Sequence, residues 1–517
     1  MRPLLNLLAG TAGLSAVLIA YTAQPPSYEN SLVLTPLYVN FAKEPADKIA
    51  QESAELKQRL GTAPYVRAGF AAFLDSFYPG ADLNRPLEAG SLAPGLSQVD
   101  TIVERARANG LVTHISIVSG FFHGWNALRE RAIQQDVRNA QWFADGLIAP
   151  PTDLRNTRRV PRSAWVTPSR YAQSLRARIE EGARIVGARL AAQMVLHPET
   201  LMSVSGDGEV EFSYERNFSS EGERESPGSE ILLADYSPFT IAEFRDWIRE
   251  KGYAGDLSPS TDDNRDGHTF NRDYGQSFSS WRLQYYDDSG PLPFSTYIRL
   301  SEKLPRSGAN FLEGGFDAPR SAQARNRFWQ AWLEFRGQVI ANYVRDFARW
   351  ITTSPDPVSG FTIPGSRYYS HQIPGEFLFD ERDNLRLRTS ASSIQSARIA
   401  PYGSAGVTAF NAFDGRRHSK TATARLFSEI YRLSNNWGIL EYGPSIPNDD
   451  GIPPHDDEQY YLRELRQLYS FRPHVIVPFA WTDLPELRRY SIKGTAFERA
   501  LRRFVQEVGK EPWAPRR

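Results

Sequence analysis

Short apolar runs rich in β-branched residues alternate with amphipathic runs along most of the chain. Eight apolar runs are predicted as strands: 32–40, 65–70, 111–118, 200–205, 360–364, 406–410, 437–442 and 475–481. Apolar residues at helical spacing predict helices near 45–60, 97–109, 170–192, 328–350, 419–433, 457–469 and 494–509. Apolar strands that alternate with helices are typical of a parallel sheet buried on both faces.

Eight strand–helix units predict the α/β class and one closed (β/α)8 barrel that spans residues 30–510. An open, doubly wound sheet is the alternative, but no glycine-rich phosphate turn follows the first strand. The connection between the fourth and fifth strands is far longer than the others, which predicts an insertion over 213–320. We expect this insertion at the barrel mouth, because long loops there build active sites.

The first 23 residues read as a targeting segment. Residues 3–23 carry no charge and follow Arg2, as in a secretory signal peptide. The stretch is also long enough to span a membrane as an uncleaved anchor. We therefore expect a secreted or periplasmic protein, attached to a membrane only if residues 1–23 are retained.

Composition narrows the chemistry that the chain can perform. Its 60 Lys+Arg balance 60 Asp+Glu, so it lacks the excess positive charge of a nucleic-acid binder. The chain has no cysteine, which excludes disulfides, thiolate metal sites and cysteine nucleophiles. Its eight histidines form no zinc motif, and neither a nucleophile elbow nor a P-loop occurs. Carboxylates are left as the expected carriers of catalysis.

Two glutamates follow apolar strands on opposite sides of the predicted barrel. Glu209 comes shortly after the fourth strand, and Glu441 follows the apolar run 437–440 in the seventh strand. Catalytic groups of (β/α)8 barrels project from the carboxyl ends of strands. Glycoside hydrolysis needs two carboxyl groups, one protonated acid and one ionised nucleophile or base. Glu209 and Glu441 are therefore the candidate catalytic pair.

This placement resembles the clan A glycoside hydrolases, and three segments are similar to family 42 β-galactosidases. They are 235–253 (DYSPFTIAEFRDWIREKGY), 276–285 (QSFSSWRLQY) and 328–350 (FWQAWLEFRGQVIANYVRDFARW). The resemblance covers most of residues 30–510. It implies a glycosidase in which Glu209 is the general acid/base and Glu441 is the nucleophile of a retaining mechanism.

One position departs from this pattern. The family usually has Asn directly before the acid/base glutamate, whereas this chain has Gly208. A Gly-Glu pair followed by the loop 213–216 is more similar to β-amylases, which are inverting relatives. Glu211 is a rival for the acid, because residues two apart on a strand share a face. The sugar, the linkage and the stereochemical outcome stay open.

Polar and aromatic side chains after the predicted strands are candidates for binding a sugar, because aromatic rings pack on pyranose C–H surfaces while polar groups bond the hydroxyls. The candidates are His123, Trp125, Asn126, Arg367, Tyr368, His371, Asn411, Tyr442 and Trp481.

The remaining alternatives concern metals and inactivity. Asp262, Asn264, Asp266 and Asp273 follow part of a calcium-loop pattern, although Asp273 replaces the usual Glu and a solvated acidic loop is the favoured explanation. No other cofactor is expected, and the expected partner is an oligo- or polysaccharide. A catalytically inactive barrel that binds carbohydrate is the main rival to an enzyme. A metal- or cofactor-dependent isomerase or aldolase would need a buried lysine or clustered ligands at the strand ends.

Overall fold

Eight parallel strands form the wall of a nearly closed barrel, in the sheet order β7-β4-β3-β2-β1-β10-β9-β8. They are β1 (Leu32–Leu34), β2 (Val66–Leu74), β3 (Val112–Ile117), β4 (Leu201–Gly208), β7 (Tyr368–His371), β8 (Ala405–Phe410), β9 (Trp437–Gly443) and β10 (Val475–Pro478). Two short antiparallel strands, β5 (Tyr214–Arg216) and β6 (Ile231–Leu233), follow β4. The predicted (β/α)8 barrel is confirmed.

The structure is a computed structural model. It describes residues 27–74, 92–117, 132, 136–141, 169–208, 214–216, 231–233, 237–251, 327–371, 397–410, 420–443, 456–482 and 491–515. The predicted targeting segment 1–23 and most of the insertion 213–320 lie outside these ranges.

Backbone hydrogen bonds at Ser404, just before β8, close the ring between the first and last strands of the sheet order. The Ser370 N–H donates to the Ser404 carbonyl at 2.9 Å, and the Ser404 N–H donates to the Tyr368 carbonyl at 2.8 Å. Gly406 allows the two strands to approach, since a Cβ at this position would lie 1.9 Å from the Ser370 carbonyl oxygen. The barrel therefore has a continuous wall around its interior.

Helices cover the outside of this wall. They are α1 (Ala46–Leu60), α2 (Ala93–Ala108), α3 (Gln173–Leu196), α4 (Pro238–Glu250), α5 (Arg327–Thr352), α6 (Lys420–Leu433), α7 (Glu458–Tyr469) and α8 (Ala496–Val508). The larger apolar core lies between the strands and these helices, and a smaller one fills the barrel interior. The interior core includes Val33, Val112, Met202, Leu440 and Val477.

The predicted fifth strand is wrong. Within the described part of the chain, residues 360–364 pair with no strand, and the Phe361 side chain is 36% exposed. Gly360 instead turns the chain with φ of 72°, in a loop that the Asp356 side chain holds through Ser359. Pro364 cannot donate a ladder hydrogen bond. The strand of this unit is β7, whose polar and aromatic residues hide its buried character in the sequence.

Candidate active site at the carboxyl ends of the strands

Glu441 lies near the carboxyl end of β9 and is 7% exposed. The pairing of β8 with β9 shifts in register at this point, so that Thr408 pairs with Glu441 after Val407 pairs with Ile439. Leu440 belongs to the interior core, and the Glu441 carboxylate lies 3.8 Å from the Nε2 of His371 on β7. The irregularity therefore brings two consecutive residues to the inside of the barrel, and one of them is ionisable.

His371 connects four strands at this level of the barrel. Its Nδ1 hydrogen-bonds with the Ser116 hydroxyl of β3 at 3.3 Å, and its Nε2 with the Thr408 hydroxyl of β8 at 3.1 Å. Because β4 separates β3 from β7 in the sheet, the contact with Ser116 crosses the interior. Ser116, His371, Thr408 and Glu441 are all buried, and we call these four residues the mouth layer.

A second histidine lies beside the mouth layer. His114 of β3 hydrogen-bonds with the Ser203 hydroxyl at 2.8 Å and with the Ser205 hydroxyl at 2.9 Å, both from β4. Burial, and to a smaller degree the charge of His371, lowers the pKa of His114 to about 3. His114 is therefore a neutral imidazole that joins two strands.

The carboxyl end of β4 lies next to the mouth layer. Gly208 pairs with His371, and a Cβ at Gly208 would lie 3.7 Å from the His371 Nδ1. Asp207 is buried and accepts a 2.9 Å hydrogen bond from the Tyr343 hydroxyl of α5. Burial and the Asp207 carboxylate raise the pKa of Tyr343 well above its usual value, so the phenol stays a donor. This bond fixes the strand that leads into Glu209.

The buried polar residues of this region also include Ser116, Thr408 and the His114–Ser203–Ser205 group, none of which was predicted as part of the site. Each is a polar residue within an otherwise apolar strand, and that is the signal that could have revealed it. Buried polar groups need partners, so several of them on neighbouring strands indicate a shared polar layer.

Several predicted site residues lie outside the described residues. They are Glu209 and its rival Glu211, the sugar-binding candidates His123, Trp125, Asn126 and Asn411, and the calcium candidates Asp262, Asn264, Asp266 and Asp273. Of the candidates that the structure describes, Glu441 and His371 come together.

Arg367 and Tyr368 do not lie at the mouth, so their predicted position is wrong. Both precede or begin β7, at the amino end of the barrel. The Arg367 guanidinium lies 4.7 Å from the ring centre of Tyr28 and donates to the Pro198 carbonyl. Tyr368 belongs to the outer core, and its hydroxyl donates to the Gly206 carbonyl. The error follows from placing the fifth strand too early.

Tyr442 and Trp481 are at the carboxyl ends of their strands but face the helices. The Tyr442 ring packs against Phe497 of α8, with ring centres 5.6 Å apart. Trp481 is fully buried, and its indole N–H donates to Glu52 of α1 at 2.8 Å. Neither ring can stack on a sugar inside the barrel, so these two predictions are also wrong.

Neither a metal cluster nor a membrane-spanning helix occurs in the part of the chain that the structure describes. There, no three His, Asp or Glu side chains gather closely enough to hold a metal ion. Within the same residues, no helix combines the length and apolar content that crossing a bilayer requires.

Comparison with known proteins identifies structural relatives. The chain matches no protein-family model and no curated protein. Among solved structures, it is similar to the catalytic domain of β-amylase from Paenibacillus polymyxa, at 10% identity and a TM-score of 0.55, over 93% of this chain and 100% of that one. It also matches an exo-carrageenase of family 42 from Bacteroides ovatus, at 9% identity and a TM-score of 0.48, over 97% of this chain and 57% of that one. The likeness to the β-amylase catalytic domain agrees with the (β/α)8-barrel fold seen in the sheet order.

Proposed function

We propose that this protein hydrolyses O-glycosidic bonds in an oligo- or polysaccharide, with Glu441 and Glu209 as its two carboxyl groups. The observation that carries the proposal is the position of Glu441. A buried carboxylate at the carboxyl end of the seventh barrel strand, beside an imidazole, is costly for stability and sits where barrel enzymes keep catalytic groups. The barrel fold shared with glycosidases is consistent with this reading.

Glu441 acts as the nucleophile in the proposed retaining mechanism. Its carboxylate attacks the anomeric carbon, the bond to the leaving oxygen breaks, and a covalent glycosyl-enzyme forms. Glu209 protonates the departing oxygen and then removes a proton from the water that hydrolyses the intermediate. Glu209 follows Gly208 directly in the sequence, and Gly208 pairs with His371, which lies beside Glu441.

The test is a screen of chromogenic aryl glycosides and of plant and bacterial polysaccharides, with the parent protein and two matched variants. Glu209→Ala should slow substrates with poor leaving groups far more than activated aryl glycosides, because only the former need a proton on departure. Glu211→Ala is the control, and the same leaving-group dependence there would make Glu211 the acid. Saccharide binding without turnover on any substrate would favour the inactive-barrel alternative.

Export belongs to the same proposal. A charge-free stretch after Arg2 and the absence of cysteine suit a protein that works outside the cytoplasm. N-terminal sequencing of protein from the native host should find a mature chain that begins near residues 21–26. Intact Met1 in the soluble cytosol would contradict export and leave the glycosidase proposal untouched.

A further inference from the structure

The mouth layer contains one imidazole that lies beside the candidate nucleophile. We propose that His371 is a positioning residue whose protonated ring keeps the Glu441 carboxylate ionised and aimed into the barrel; this role rests on the proposed function. The Nε2–carboxylate distance of 3.8 Å is within the range at which opposite charges stabilise one another.

The hydrogen-bond partners of His371 suit a doubly protonated ring. An imidazolium donates from both nitrogens, and a hydroxyl oxygen can accept from either. Ser116 lies 3.3 Å from Nδ1, and Thr408 lies 3.1 Å from Nε2. Both groups are hydroxyls, so each can accept a hydrogen bond from a protonated ring nitrogen.

His114 does not compete for this charge. Burial and the nearby His371 lower the pKa of His114 to about 3, so His114 is neutral at any ordinary pH. Its two nitrogens are engaged with the hydroxyls of Ser203 and Ser205. Of the two interior histidines at this level, His371 is the one that has a carboxylate within 4 Å. The positive charge is therefore stabilised on His371.

The groups that face His371 come from every strand around it. Among the described residues, the titratable ones are His114 of β3 and Glu441 of β9, while β8 contributes Thr408. From β4, Gly208 faces the ring, and Asp207 is turned away toward Tyr343. Glu441 is thus the carboxylate in this set that a charged His371 can stabilise.

Gly208 connects this arrangement to the departure from the family pattern. A Cβ at position 208 would lie 3.7 Å from the Nδ1 of His371, in van der Waals contact. A side chain as long as Asn would therefore meet the imidazole or displace it. This chain has Gly208 at the position where the resembling family has Asn, and the imidazole of His371 lies beside it.

The first experiment measures pH profiles of kcat/KM on a substrate that the parent cleaves. His371→Asn and His371→Gln should lower kcat by about 10–100-fold with a smaller change in KM, since a displaced catalytic group costs mainly turnover. The acid limb of the kcat/KM profile should also move to higher pH, because Glu441 would lose the positive charge of the His371 ring, which favours the ionised carboxylate. An acid limb that stays in place in both variants would overturn the proposal. His474→Asn, the same change at the other end of the barrel, should leave the limb in place.

The second experiment does not depend on turnover. The ring signals of His371, assigned by their loss in either variant, are titrated by NMR in protein with 13C-labelled histidine. Glu441→Gln should lower the titration midpoint of His371 by about 1–3 pH units, and Glu498→Gln should not. If the His371 midpoint falls in Glu441→Gln but the parent protein cleaves no glycoside, the ion pair stands and the proposed function fails. If Glu441→Gln loses the turnover that the parent shows while the His371 midpoint stays in place, the function stands and the positioning role of His371 fails.

Discussion

Two histidines lie inside the same barrel at opposite ends, and their surroundings differ. At the carboxyl end, His371 lies beside the Glu441 carboxylate. At the amino end, the His474 Nε2 donates to the Tyr28 carbonyl at 2.9 Å, and its Nδ1 lies 3.3 Å from the Tyr369 hydroxyl, which can donate to it. Trp513 of the C-terminal tail stacks on the His474 ring, with ring centres 4.1 Å apart. One imidazole lies 3.8 Å from a buried carboxylate, whereas burial dominates the surroundings of the other.

We call Tyr28, Tyr369, Asn436, His474 and Trp513 the basal cluster. The Tyr28 and Tyr369 hydroxyls lie 2.8 Å apart, and the Trp513 indole N–H donates to the Pro473 carbonyl. Burial is the largest influence on His474 and lowers its pKa to about 4. Satisfied, neutral and covered groups of this kind stabilise a fold. The two histidines thus differ in what dominates their surroundings, a buried carboxylate 3.8 Å away for His371 and burial for His474.

Removal of the Glu441 side chain should give the largest effect. Glu441→Gly should lower kcat by about 1,000-fold or more, because no group would be left to attack the anomeric carbon. Added azide should restore turnover by occupying the space and attacking from the same side. NMR of the product should then show a glycosyl azide of inverted anomeric configuration. Turnover that is lost but not restored by azide would assign Glu441 a role other than nucleophile.

Acid should weaken the fold through the basal cluster. His474 titrates near 6.5 when unfolded and near 4 when folded, so the unfolded chain binds more protons between these values. The stabilisation is complete above about pH 6.5 and is lost as the pH falls toward 4, by about 3 kcal/mol. Urea unfolding measured from pH 4 to pH 7 should show a shallower pH dependence in His474→Asn. An unchanged slope would mean that the buried imidazole is not the titrating group.

The same His474→Asn variant sharpens the contrast with the mouth layer. At pH 7 it should unfold at a lower urea concentration than the parent, because the Tyr28 carbonyl and the Tyr369 hydroxyl would lose a partner. Turnover per folded molecule should equal that of the parent. A loss of kcat without a loss of stability would place the basal cluster in the mechanism.

Arg367 should contribute to stability and not to substrate binding. Arg367→Ala removes the contact with the Tyr28 ring and the hydrogen bond to the Pro198 carbonyl, and should cost about 1 kcal/mol. KM should stay at the parental value for every substrate. A rise in KM in the folded variant would show that Arg367 binds substrate at the barrel mouth.

The smallest effect is expected at Tyr442, the neighbour of Glu441 on β9. Tyr442→Phe keeps the packing against Phe497 and removes a hydroxyl on the helix side of the wall. The free energy of unfolding should change by less than about 1 kcal/mol, and kcat should not change. A large loss of activity would show that the outward assignment of this ring is wrong.

The fold was predictable because its signal is periodic. Apolar runs such as 437–442 and 475–481 locate strands without tertiary information, and helical spacing located helices such as α5 and α8 to within a few residues. The fifth strand failed because its core-facing residue is Tyr369, whose hydroxyl bonds Tyr28, and its last residue is His371. Polar atoms that find partners only in the folded barrel make a buried strand look exposed.

The site was predictable only in part. Glu441 was recognisable as an ionisable residue at the end of an apolar run. The sequence did not reveal that the side chains of Tyr442 and Trp481 lie on the helix side of the barrel wall. Register shifts between β8, β9 and β10 change which residues face inward. The partnership of His371 with Ser116 and Thr408 depends on strands far apart in sequence, so no local pattern reveals it.

The most direct test of the account compares Glu441→Gln with Glu498→Gln. Both remove the charge of a buried glutamate, one in the mouth layer and one on α8 beside Arg59. Turnover is measured on a substrate that the parent cleaves, and each value is divided by the folded fraction from a thermal melt. The account predicts a loss of about 1,000-fold or more for Glu441→Gln and near-parental turnover for Glu498→Gln. Parental turnover in folded Glu441→Gln would contradict it.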